Sequence, residues 1–448
     1  MCRFVAITLS LLALATAGAG EYGITVKAGA EQTFGGFGAS QVGEEFGHYA
    51  PEPYRSQMAD LVYRDLKARV LRLWVQAGPE HSLAEMKAAF YAQYVDNGVI
   101  SLITQRGVST LLLAPARGMD APKDSLPAYA AKIAQFIADL KTERGMSIAV
   151  TGIANEPEGW SGEQLAETIK LLRAELDRRG LEKVGIIAPE DPSANEAYDA
   201  HVAALRADPA AWAALAGVAS HSYNMALRDE GEAGKPLWIT EAADDGSESG
   251  EDEARAASLA GRFLNDLNHG ACWWIYFKGF SYSPDVAKDD YSASRLTQYD
   301  AARGGIVTHL KYYYLKQLLA AFEVGTVLRR CESAAEGRMV YTYGLKPKAC
   351  AAAGVDPDGS WALGVVNLTG LPGRNEIARW QPAETLEVTV KIDELATAPD
   401  RVFRLTRSRA GQHAVEGGEV TMKGGSVSLR IAPMELITLR SAAKRVGK

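Results

Sequence analysis

Cysteine is scarce in this chain, with four residues in 448, and no Cys/His spacing resembles a zinc site. A basic stripe is missing as well. The net charge is −7, which argues against nucleic acid as a partner. Beyond the N-terminus no segment offers the roughly 18 uncharged apolar residues that a membrane-spanning helix requires. Repeats of solenoid length and low-complexity tracts are also lacking, which removes repeat arrays and long linkers. What remains, 47% hydrophobic and 23% charged residues, is ordinary for a globular protein. The length favours one large domain with a smaller companion.

The N-terminus reads as an address label. Arg3 gives a positive start, Phe4 to Ala15 is apolar, and Ala15-Thr16-Ala17 and Ala17-Gly18-Ala19 are small-residue cleavage sites. Residues 1–19 are therefore expected to be a signal peptide, and the mature chain to be secreted or periplasmic. Cys2 would leave with it, and Cys272 sits in the apolar run ACWWIYF as a buried thiol. Cys331 and Cys350 flank an expected hairpin and could pair or stay free in an oxidising compartment.

From residue 33 onward strands and helices alternate. Apolar strands are read at Gly35 to Ala39, Val70 to Trp74, Thr110 to Ala114, Ile148 to Ile153, Val184 to Ala188, Val218 to Tyr223, Leu237 to Thr240 and Ala271 to Phe277. Helices are expected around Met58 to Leu66, Leu83 to Val95, Tyr129 to Leu140, Leu165 to Leu176, Asn195 to Leu205, Glu253 to Leu267 and His309 to Phe322. The helix after the sixth strand is truncated or absent, because few residues separate Tyr223 from Leu237. Ser161 and Gln164 form a capping-box pattern, and Gly180 supplies a stop. Such alternation implies an α/β fold with a parallel sheet closed into a (β/α)8 TIM barrel over residues 33–324. After Val324 short alternating runs separated by turn residues imply a β-sandwich over 325–448. They include Arg338 to Tyr343 and Leu386 to Ile392. The early strand YGITV, within residues 20–32, has no place in the barrel and is expected to join that sandwich.

Chemistry centres on SIAVTGIANEP, residues 147–157. The apolar strand stops at Asn155-Glu156-Pro157 because Pro157 cannot donate a ladder hydrogen bond and biases Glu156 toward an extended form. The seventh strand, KPLWITE, likewise ends in Glu241. Strands four and seven face each other across a barrel, so both carboxylates reach the C-terminal rim, where barrels place their chemistry. Two carboxyls there can supply a proton donor and a nucleophile for cleaving a glycosidic bond.

These two strands and the barrel count resemble clan A glycoside hydrolases. Gly36-Phe37-Gly38-Ala39-Ser40 and a sandwich completed by an N-terminal strand are similar to glycoside hydrolase family 30. The resemblance implies that Glu156 is the general acid/base, Glu241 the nucleophile, and Asn155 a partner of the sugar 2-hydroxyl. It further implies that Arg72, in LRLW, holds the nucleophile ionised and that Tyr223, in HSY, contacts it. Trp274 would be a platform under the bound sugar. His221 shares the face of Tyr223 by strand alternation and lines the same pocket or serves as a core histidine. No metal or organic cofactor is implied.

Two departures bear on the substrate. Ala114-Pro115-Ala116-Arg117-Gly118-Met119 replaces a tryptophan-bearing segment, and Gln76-Ala77-Gly78 stands where glucosylceramidase-like members have an aspartate. Glucose specificity therefore does not carry over. The expectation is a secreted retaining β-glycoside hydrolase cleaving β-linked poly- or oligosaccharides, endo-acting. The alternatives are an exo-acting β-glycosidase and a non-catalytic carbohydrate-binding protein on a barrel scaffold. Gly279 to Arg303 would decide endo against exo action by lying aside from the mouth or folding over it. Lys278, Lys288, Arg295 and Arg117 could recognise an acidic sugar.

Overall fold

The computed structural model describes residues 20–41, 48–78, 80–116, 125–157, 159–223, 234–243, 252–289, 294–333, 347–371 and 382–442. The expected signal peptide, the strand at Arg338 to Tyr343, Arg117 and the segment after Tyr223 lie outside them.

Strand β1 (Gly20–Val26) stands apart from the barrel. Eight parallel strands then close on themselves: β2 (Gly36–Ser40), β3 (Val70–Gln76), β4 (Thr110–Ala116), β5 (Val150–Thr151), β6 (Gly185–Asp191), β7 (Leu215–His221), β8 (Leu237–Ala242) and β9 (Ala271–Tyr276). Strand β9 pairs back onto β2, with Gly36 opposite Trp273. The barrel interior is filled by Val70, Leu112, Ile187, Ala219, Trp238 and Ile275, one residue from each of six strands. At its N-terminal end Trp238 and Trp273 stack with ring centroids 4.8 Å apart. Gly35 and Gly217 make that stack possible, since a Cβ would stand 2.5 Å from Trp273 at the first and 2.7 Å from Trp238 at the second. The barrel is thus a packed core with its floor closed by two indoles.

Helices wrap the outside: α1 (Tyr54–Ala59), α2 (Leu83–Phe90), α3 (Val99–Thr104), α4 (Leu126–Arg144), α5 (Gly162–Arg178), α6 (Glu196–Ala207), α7 (Pro209–Ala214), α8 (Asp252–Asn268) and α9 (Leu310–Ala321). The Ser161/Gln164 capping box opens α5, and Gly180 ends its turn with φ +69°. The same reciprocal cap, Ser82 with Glu85, opens α2, satisfying N–H groups that would otherwise be orphaned. No helix among the described residues is long and apolar enough to cross a membrane.

The segment after β9 forms a small sheet of β10 (Phe280–Ser283), β11 (Thr297–Asp300) and β12 (Gly305–Thr308). It packs against α1 and the helical turn that follows it, with Tyr299 on Tyr54 and Phe280 on Tyr63, and is tied to the end of β2 by Gly279 N–H to the Ser40 carbonyl.

The remainder is the expected sandwich. One sheet runs β14 (Cys331–Ser333), β1, β17 (Leu386–Ile392) and β20 (Ser426–Ile431). The other runs β13 (Val327–Arg329), β15 (Ala349–Val355), β16 (Trp361–Asn367), β21 (Leu436–Ser441), β18 (Arg401–Arg409) and β19 (Gln412–Met422). Strand β1 lies parallel to β17, so the N-terminal strand completes the sandwich. Its core holds Tyr22, Ile24, Val26, Leu363, Val388, Phe403 and Leu429. Helices α8 and α9 form the seam with the second sheet. Cys272, Cys331 and Cys350 are buried.

Candidate active site

Strand β3 points Val70 into the barrel and Leu71 and Leu73 out of it, so Arg72 projects inward. Its guanidinium is fully buried. Burial of a charge is costly unless several acceptors compensate it, and four groups do so. Nη1 donates to Glu241 Oε2 at 2.6 Å. Nη2 donates to Asn155 Oδ1 at 2.6 Å and Glu190 Oε1 at 3.3 Å, and lies 3.4 Å from His221 Nε2. Burial alone would lower its proton affinity, but Glu190 and Glu241 more than offset this and hold it above the ordinary value.

The two expected acids arrive through irregular backbone. Glu156 ends the β5 segment at φ +51°, an uncommon conformation for a residue with a Cβ. Glu241 follows a register shift in β8: Ser220 of β7 faces Ile239, whereas His221 faces Glu241. That bulge turns Glu241 toward the mouth, where strict alternation would send it into the helix layer. Tyr223 donates to Glu241 Oε1 at 2.6 Å. Burial and the neighbouring carboxylate push the Tyr223 phenol well above its ordinary range, so it stays a donor. Both oxygens of Glu241 thereby accept short hydrogen bonds that fix its orientation.

His221 connects the two acids. Its Nδ1 is 3.0 Å from Glu156 Oε1. An arginine N–H cannot accept, so the contact with Arg72 leaves Nε2 bare and puts the ring proton on Nδ1, aimed at Glu156. Burial raises the Glu156 carboxyl, but the His221 hydrogen bond and the nearby positive charge outweigh it and hold the group below its ordinary range. The Glu156 side chain is 34% exposed against 6% for Glu241. One acid faces the opening and the other lies beneath it. One oxygen of each and a ring nitrogen of His221 all fall within 4.8 Å of one another. That spacing would also suit a divalent cation, but the Arg72 guanidinium beside Glu241 and His221 opposes one.

Glu156, Glu241, Asn155, Arg72, His221 and Tyr223 are therefore gathered in one cluster. Trp274 is not, and its expected place under a sugar is corrected by the structure. The inward residues of β9 are Trp273, at the floor, and Ile275. Trp274 is fully buried outside the barrel between Phe37 and Phe263, with Nε1 donating to Asp266 of α8 at 2.8 Å. The aromatic surface beside Arg72 comes instead from Trp74, whose ring lies 5.1 Å from the Arg72 guanidinium carbon, and from Phe277, 5.7 Å from Trp74. Strand alternation from Arg72 could have found Trp74. The Lys278 ammonium lies 5.0 Å from the Phe277 ring centre, and burial, with Arg295 adding to it, lowers its pKa to about 7. Arg295 is buried against Ser281, and Lys288 pairs with Asp285 on the surface.

Glu190 was not anticipated. Counting outward and inward positions along β6 from Ile187 would send it outward; φ +67° and a register shift between Pro189 and Asp191 bring it into the barrel under Arg72.

No family model and no curated protein matches the chain. Solved structures do. A glycoside hydrolase family 30 subfamily 8 xylanase, Xyn30A, from Clostridium acetobutylicum superposes with TM-score 0.67 at 16% identity, covering 94% of this chain and 100% of that one. The endo-beta1,6-glucanase BT3312 gives 0.62 at 15% identity, with 94% of each chain covered. A family 51 arabinofuranosidase from Xanthomonas axonopodis pv. citri gives 0.59 at 13%, covering 94% and 100%. At these identities the likeness is one of fold: a (β/α)8 barrel with a β-sandwich flank, as in the family 30 structures.

Proposed function

We propose that the protein is a retaining glycoside hydrolase that cleaves β-linked poly- or oligosaccharides by double displacement. The observation that carries this reading is the pair of carboxyls on opposite staves, with oxygens within 4.8 Å of each other. Retaining enzymes hold their two carboxyls about 5–5.5 Å apart, whereas inverting ones leave room for a water between them. Glu241, fixed by Arg72 and Tyr223, attacks the anomeric carbon. Glu156, more exposed and bonded to His221, protonates the departing oxygen and then deprotonates the incoming water. Asn155, anchored by Arg72, presents its amide to the sugar beside the reacting carbon. The roles are drawn from position: Glu156, the more exposed acid, can meet the leaving oxygen and the incoming water, while Glu241 is held from both oxygens beneath it. The fold likeness to polysaccharide-cleaving enzymes supports the reading.

Endo action is favoured by the segment after β9. Its described part packs on α1, which suits a cleft that admits the middle of a chain. Secretion follows from the N-terminal pattern.

The test is Glu241→Ala with added azide. Turnover of an aryl β-glycoside is expected to fall by several orders of magnitude, and azide to restore it as a glycosyl azide of inverted configuration. An Ala variant with normal hydrolysis would refute the assignment. Product sizes from β-1,3-, β-1,4- and β-1,6-linked glucans, galactans and xylans separate endo from exo action, and hydrolysis of any of them removes the binding-only alternative.

A further inference from the structure

Both proposed acids are tied to a third glutamate, on a strand to which neither belongs. Glu190 is fully buried. Its backbone, at φ +67°, offers a carbonyl that accepts the N–H of Glu156 at 3.2 Å, and Glu156 itself stands at φ +51°. Its side chain turns inward, and Oε1 accepts from Arg72 Nη2 at 3.3 Å, on the nitrogen that also holds Asn155. The Thr240 hydroxyl also acts on this carboxyl, though Oε2 makes no hydrogen bond of good geometry. The space is made for this carboxyl: a Cβ on Gly152 would stand 1.8 Å from Oε2. Two adjacent non-glycine residues in left-handed backbone, bonded to each other, represent strain that the surroundings must over-determine. An ordinary structural acid would turn outward, as the following Asp191 does toward His201.

We propose that Glu190 is a positioning residue for the glycosyl transfer. Through its carbonyl it sets the backbone of Glu156, and through its carboxyl it sets the guanidinium that aims Asn155 and Glu241. The proposal rests on the retaining reading and adds to it a single residue that fixes both halves of the pair. Burial, outweighing Arg72, raises the Glu190 carboxyl above its ordinary range.

The test compares Glu190→Ala, Glu190→Gln and Gly152→Ala with the unaltered protein, by crystal structure and by kcat and KM on the best substrate of the glycan panel. In Glu190→Ala the Arg72 guanidinium is expected to leave Asn155 by about 1 Å, a misplacement that costs on the order of 100-fold in rate. The loss should fall on kcat, with KM within about threefold. Glu190→Gln keeps the shape and an acceptor for Arg72, and is expected to stay within about fivefold of the parent. Gly152→Ala displaces the carboxyl without altering any residue of the cluster, so it should reproduce the Ala phenotype even if Glu190→Ala does not fold. An unmoved Arg72 with normal kcat in either Ala variant overturns the proposal, as does a Gln variant as impaired as the Ala one. The crystal structures decide the positioning claim even if the parent hydrolyses no glycan. In that case the functional reading fails by itself.

Discussion

Replacing His221 with alanine removes the Nδ1–H that faces Glu156 Oε1 at 3.0 Å and leaves both carboxylates in place. If Glu156 is the proton donor, the alkaline limb of kcat/KM follows its ionisation in the free enzyme. The His221 donor favours the charged form and contributes to holding the Glu156 carboxyl low, so the parent should lose activity early as pH rises. Without that donor the carboxyl keeps its proton longer, and the limb moves to higher pH. A hydrogen bond to a charged group contributes about 1.5–3 kcal/mol, and one pKa unit corresponds to about 1.4 kcal/mol. Glu156 is 34% exposed, so solvent screening favours the lower end, a displacement of about one unit. The assay is kcat/KM against pH on an unactivated oligosaccharide, whose leaving oxygen requires protonation. A dinitrophenyl glycoside serves as control, because its leaving group departs unaided and its limb should not follow Glu156. An oligosaccharide limb that stays put, or moves to lower pH, would refute the His221–Glu156 argument.

Three further outcomes are expected. Arg72→Met should destabilise the protein by about 3–5 kcal/mol, since it leaves buried Glu241 without its partner; Arg72→Lys should fail to rescue activity because a point charge cannot serve Asn155 and Glu241 together. Calorimetry and kcat/KM check both. Trp274→Phe should lower the melting temperature, by leaving the Asp266 carboxyl without its indole donor at about 1–3 kcal/mol, yet keep kcat/KM within about twofold. Lost activity at an unchanged melting temperature would restore Trp274 to the site. Asp266, raised by burial to about 6 from 3.8, binds more protons folded than unfolded between those values. Stability should therefore fall as pH rises from about 4 to about 6, by about 3 kcal/mol. Denaturant midpoints of Asp266→Asn should lack that slope.

How far the residues alone disclose this arrangement depends on where the backbone is regular. The barrel was legible because each buried strand is a short apolar run stopped by a turn signal. Arg72 and Tyr223 were legible through the resemblance, and His221 through alternation from Tyr223, which the end of β7 keeps without a break. Trp274 was misplaced because the phase of ACWWIYF is ambiguous. Trp273, Trp274, Ile275 and Tyr276 are all large and apolar, and what sets the phase is a distant feature: only Gly35 and Gly217 leave room for the Trp238–Trp273 stack. In the sandwich, β15 carries little signal of its own, because ACAAAGV has only one β-branched residue, Val355, of the kind that marks strands. It is held by pairing to β13 and β16 instead.

The site itself depends on departures from that regularity. A regular parallel strand sends alternate side chains inward, with two residues of rise between them, too sparse for three carboxyls around one guanidinium and one imidazole. Crowding them requires departures from regular strand backbone, and three occur here: Glu156 at φ +51°, Glu190 at φ +67° and Glu241 past the β8 register shift. Two of these have a visible marker, since Pro157 follows Glu156 and Pro189 precedes Glu190, and proline cannot continue a ladder. An acid next to proline at the end of a barrel strand is therefore the signal that Glu190 offered and that a reading by alternation passed over. Glu241 lacks such a marker, and what brings it into the cluster is the long-range hold of Arg72 and Tyr223.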